Sequence, residues 1–188
     1  MDSGQPQRRF GWQDMWVSPE EDPRAQKPVP GERNLLVTYL RDYRYTLRMK
    51  CSGLDAQSLA TRSVPPSNLS LLGLIRHLTE AERAWFRRIM AGQDAPSVYR
   101  SAESPGGDHD DAVGEDAVVE LAWTNWQAEV AFAEEFVANA PSLDITGTTA
   151  AGEAIELREV LVHLIEEYAR HCGHADLIRE RIDGRVGA

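Results

Sequence analysis

The stretch Leu161-Val162-His163-Leu164-Ile165-Glu166-Glu167-Tyr168-Ala169-Arg170-His171-Cys172-Gly173-His174-Ala175-Asp176-Leu177-Ile178 decides the fold. Leu161, Leu164, Tyr168, His171 or Cys172, Ala175 and Ile178 recur every three or four residues, which is the stripe of an amphipathic helix rather than the alternation of a strand. Extended outward, the pattern predicts a helix from about Glu156 to Ile182, stopped by Asp183-Gly184.

Three further segments read the same way. Leu36, Tyr39, Leu40, Tyr43 and Leu47 predict a first helix from about Glu32 to Lys50, with Gly53 as its C′ residue. Leu71, Leu74, Ile75, Leu78, Ala81, Trp85 and Ile89 predict a second from Ser70, a natural N-cap, to Ala91 before Gly92. Val118, Leu121, Ala122, Trp126, Ala128 or Glu129, Phe132 and Phe136 predict a third over 115–139, closed by Pro141. The segment 142–155 suits a turn or short hairpin. Four long helices and no central strand imply an all-α four-helix bundle. Its long connections, one with Pro65-Pro66 and one with the acidic run Asp108-His109-Asp110-Asp111, allow an order other than simple alternation.

A chain of 188 residues fits one domain. Residues 1–30 read as an extended arm, with Pro6, Pro19, Pro23, Pro28 and Pro30, and 31–188 as the bundle domain. Phe10, Trp12, Met15 and Trp16 in the arm are too apolar for solvent. The arm is expected to pack on the bundle or on a second subunit, so a homodimer is one expectation. A net charge of −10 disfavours nucleic acid and anionic membrane as partners. No run approaches transmembrane length, and Met1–Phe10 lacks the apolar core of a secretory signal, so a cytoplasmic location is expected. Cys51 and Cys172 then read as free thiols.

Polar groups at the edges of buried stripes carry the chemistry, because burial obliges them to find partners. Glu167 and His171 stand at i, i+4 on one face of the last helix, as two ligands of one metal require. His77 holds an equivalent edge of the second helix. From spacing alone, a surface hydrogen-bonded pair and a satisfied core histidine compete with the metal reading. His163 and His174 read as supporting or surface groups, and His109 as solvated. Cys172 points about 100° from His171 and reads as structural. Glu80, Glu82 and Arg83 read as orienters of His77 or as a solvated face, and Trp85, Trp123 and Trp126 as core. No phosphate-binding glycine loop or nucleophile elbow is present.

The run from Pro65 through Leu69-Ser70-Leu71-Leu72-Gly73-Leu74-Ile75-Arg76-His77-Leu78, then Glu82-Arg83-Ala84-Trp85-Phe86, together with the 161–180 segment, resembles the actinobacterial mini-circle protein family. That family lies within the DinB/YfiT-like group, which includes mycothiol-dependent maleylpyruvate isomerase. The resemblance covers about residues 31–184. It implies a four-helix bundle with an up-up-down-down order and a metal triad of His77, Glu167 and His171. Glu167 departs from the commoner His at its position and matches the isomerase variant. Zn²⁺ is the implied metal, with Ni²⁺ or another first-row ion as alternatives, and mycothiol the implied co-substrate beside a small electrophile. Two functions follow as expectations. One is a metal-dependent thiol S-transferase or isomerase. The other is a non-catalytic metal-binding or stress-response bundle acting through oligomerisation or ligand binding.

Overall fold

The protein is described by a computed structural model covering residues 21–25 and 29–186. Phe10, Trp12, Met15 and Trp16, on which the packing of the arm was argued, lie outside the described residues. Arg24 pairs with Asp22 and donates to Thr46 Oγ1 on the first helix, which ties residues 21–25 to that helix.

Helix α1 spans Glu32–Cys51, and the short α2 spans Ala56–Ala60. Ser70 opens α3 (Leu71–Glu82) as foreseen, its hydroxyl accepting from Gly73 N at 3.1 Å. Helix α3 continues as a π-helical segment, Arg83–Met90, in which Ala91 N reaches back to Phe86 O. The wider turn moves the apolar stripe by one residue. Phe86 and Met90 are buried where the 3.6-residue period placed Trp85 and Ile89. A single-turn α4 (Gly107–Asp110) precedes α5 (Asp116–Asn139). A hairpin of β1 (Thr146–Thr148) and β2 (Ala154–Glu156) leads into α6 (Leu157–Asp183), capped by Gly184 with φ +80°. Gly147 lies so close to the backbone of Ile89 and Met90 that any side chain there would collide with it.

The architecture is the all-α four-helix bundle read from the stripes, with α2, α4 and the hairpin as small additions. The order of directions differs from the up-up-down-down expectation. Helix α1 runs parallel to α6, since Glu32 meets Arg158 and Lys50 meets Asp176. Helix α3 runs against α6, since His77 meets Glu167 and Trp85 meets His163. Helices α3 and α5 run parallel: Arg76 stacks on Tyr99, which bonds Asn125, and Phe86 meets Phe136. The order is therefore up-down-down-up. Its cause is the 91–115 connection, which travels the length of α3 before α5 begins. Glu80 Oε1 accepts from Val98 N and Tyr99 N, Arg83 donates to Pro96 O, and Arg76 donates to the Gly107 and Asp111 carbonyls. Glu80 and Arg83 thus serve the crossover rather than orienting His77.

Leu40, Leu47, Leu74, Leu78, Phe86, Trp126, Leu161, Leu164 and Tyr168 centre the core. Leu121 and Tyr39, placed on stripes by period, are exposed instead, and Glu129 rather than Ala128 is buried between Arg83 and Arg87. Helices α1 and α5 do not close against each other, which leaves a groove along that side. Among the described residues no helix is long and apolar enough to cross a membrane.

Candidate metal centre

The antiparallel packing of α3 against α6 brings His77, Glu167 and His171 to one seam. His77 Nε2 lies 3.0 Å from Glu167 Oε1, and His171 Nε2 lies 3.5 Å from the same oxygen. One ligand atom from each residue falls within 4.8 Å of the others. With metal–ligand bonds of about 2.0–2.2 Å, two ligand atoms in a tetrahedral shell sit roughly 3.3–3.6 Å apart. The 3.5 Å spacing falls in that range, the 3.0 Å one is the shorter length of a hydrogen bond and would open slightly around an ion, and two imidazoles with one carboxylate are a donor set that first-row ions accept. Hydrogen bonds from His171 and His77 hold the Glu167 carboxyl well below the usual carboxylate range, so it stays ionised, as a ligand must.

Three neighbours, Asp108, Arg100 and His109, were not foreseen at the site. Asp108, 1% exposed, receives His77 Nδ1 at 3.0 Å and leaves Nε2 facing Glu167. A carboxylate behind a ligating histidine is the usual means of fixing its ring and tautomer. Arg100 pairs with the same carboxylate at the mouth of the site. Burial works against ionisation of Asp108, but the bonds from His77 and Arg100 prevail and hold its pKa well below normal. Burial likewise opposes a charged His77, yet the two carboxylates outweigh it and raise its pKa to about 8.

His109, read as solvated, is stacked on His77 with ring centroids 5.2 Å apart. Burial lowers its pKa to about 4, so it is neutral near pH 7. Its buried Nδ1 has no hydrogen-bond partner, and His77, Asp108 and His109 form a second group of metal-capable side chains. The backbone reason lies in Gly73, where an added Cβ would sit 2.9 Å from His109 Nδ1. Only glycine lets the crossover come this near α3. Gly73 in the midst of Leu71-Leu72-Gly73-Leu74 was the available signal, since an isolated glycine within a helix pattern marks close approach. The sequence did not say what approached.

The remaining histidines divide as read. His174 Nδ1 lies 3.3 Å from His171 Nδ1 and so supports that ring from behind, while His163 packs on Trp85. Burial pushes the Cys172 thiol up to about 12, in keeping with a structural rather than nucleophilic role.

Fold and cluster together define a DinB-like helical bundle with a histidine–carboxylate cluster at the α3–α6 seam. Comparison carries this one step further: residues 35–184 match the family model described as Mycothiol-S-transferase, and the chain belongs to that family. A crystal structure described as the conserved protein of a locus from Enterococcus faecalis is similar in fold. Its TM-score is 0.56 at 13% identity, over 82% of this chain and 98% of that one. No curated protein matches the chain.

Proposed function

We propose that this protein is a divalent-metal-dependent enzyme that activates a low-molecular-weight thiol, mycothiol by its family, for S-transfer or isomerisation. The observation that carries the reading is the convergence of His77 Nε2, His171 Nε2 and Glu167 Oε1 at ligand-to-ligand spacing, with Asp108 fixing the His77 ring. His77, Glu167 and His171 would hold the ion, with Zn²⁺ the first choice and Ni²⁺ or another first-row ion the alternatives. Bound there, it supplies the Lewis acidity that keeps a thiol sulfur deprotonated at neutral pH. With an ion bound, Asp108 would hold the proton on His77 Nδ1, and Nε2 would give up its own proton to present a lone pair. Arg100 offers a cation beside the ligands.

The test is metal content of the purified, untagged protein, wild type against His171→Ala. Near one divalent ion per chain, lost in the variant, supports the triad. Consumption of mycothiol by a small electrophile should then depend on that ion. A wild type that takes up no Zn²⁺ or Ni²⁺ overturns the reading.

A further inference from the structure

The groove between α1 and α5 lies on the opposite side of the bundle from the α3–α6 seam. It has a volume of about 610 Å³. Its two walls differ in kind. Arg33, Arg41, Arg44 and Arg48 all come from α1, whereas α5 supplies Val130, Ala131, Ala133 and Val137 with one carboxylate, Glu134. Phe86, Trp126, Leu40 and Leu161 form an apolar floor.

Arg44 is the central feature. It is only 6% exposed, and its Nε and Nη2 are taken by Glu82, both at 2.8 Å. Nη1 has only a 3.5 Å contact with the exposed Glu134. A buried guanidinium thus lines the groove with a weakly engaged donor. One turn further along, Arg48 has no hydrogen-bond or ion-pair partner among the described residues, and Arg41 pairs only with its neighbour Asp42. These arginines gather on one wall of a chain whose net charge is −10. An anion is what such a wall recognises.

The size limits the occupant. A volume of about 610 Å³ is that of a site for one small organic molecule, whereas a folded partner needs a contact area far larger than this groove offers.

We propose that the α1–α5 groove binds a small amphiphilic organic anion, its carboxylate at Arg44 Nη1 and Arg48 and its apolar body along the partly exposed Val37 and Val130. The proposal stands apart from the metal reading, because it uses none of the seam residues.

The probe is 11-(dansylamino)undecanoate, titrated into the full-length protein and followed by dansyl emission, with its methyl ester as the uncharged control. Saturable one-to-one binding is expected, displaced by decanoate and unchanged by chelators. The ester, and the rim variant Arg41→Glu/Arg48→Glu, should each bind about tenfold or more weakly, the worth of one charge-assisted hydrogen bond. Ala131→Trp, at an exposed position on the α5 wall, should block the groove while circular dichroism stays unchanged. Equal affinity for acid and ester, or full binding by the Ala131→Trp variant, overturns the proposal. So does binding that appears only after residues 1–20 are deleted, which would make the chain's own N-terminal segment the occupant. A dimer that Ala131→Trp dissociates would instead make a second copy the occupant, and also overturns it.

Discussion

Replacing Arg44 by methionine tests what holds the middle of the bundle. Glu82 is fully buried at the centre, where its carboxylate accepts two bonds from Arg44 and one from Tyr168 Oη, which itself accepts from Trp126 Nε1. Methionine keeps much of the stem's volume and removes the charge. The Glu82 carboxylate is then left buried with a single hydroxyl donor, and stranding one member of a buried pair costs about 3–5 kcal/mol. For a domain of this size that is a fall of roughly 6–20 °C in Tm. The companion variant Arg44→Met/Glu82→Gln removes both charges and keeps an acceptor for Tyr168. Its remaining defect is an unpaired amide, worth about 1–3 kcal/mol, so about 2 kcal/mol should return. Urea unfolding followed at 222 nm measures all three proteins. The pH dependence supplies a second check. Burial raises the Glu82 pKa even in the wild type, and losing Arg44 raises it further. Between the unfolded and folded pKa values the native state holds the extra proton, so stability falls as pH rises through that window. The deficit of Arg44→Met relative to the double variant should shrink as the pH is lowered from 8 toward 5. If single and double variants unfold at the same urea concentration at every pH, the stranded charge is not what destabilises the protein, and the reasoning is wrong.

Two further outcomes are expected. Asp108→Asn should weaken metal binding about 10–100-fold without unfolding the chain, because the amide no longer fixes the His77 tautomer; competition with a chelator of known affinity measures this, and unchanged affinity would remove Asp108 from the site. Burial pushes both thiols up to about 12, so Cys51 and Cys172 should resist a disulfide-exchange reagent in the native protein and react promptly in urea; fast native labelling would contradict the burial.

The helices were legible because each buries one stripe, and the 3.6-residue period is visible wherever a stripe is long. Reading failed at residues 83–90, where a π-helical turn changes the period and carries Phe86 and Met90 inward. It failed again for helix direction, since the stripe of a helix is the same whichever way it runs. Direction was set by the 91–115 crossover, whose anchors on Arg76, Glu80 and Arg83 are bonds to carbonyls and amides with no side-chain signature. The spacing of Glu167 and His171 gave half of the candidate centre, and the edge position of His77 gave the facing half. Asp108 and His109 were hidden because a segment rich in glycine, proline and acid has no period from which to infer a face.

The crossover also decides how the site is divided along the chain. A cut between Gly92 and Val98 would leave His77 in one fragment, and Glu167, His171, Asp108, His109 and Arg100 in the other. Neither piece would hold the full donor set. The same seam that packs α3 against α6 would have to re-form before an ion found all three ligands, so uptake of a metal by the mixed fragments would report their reunion directly.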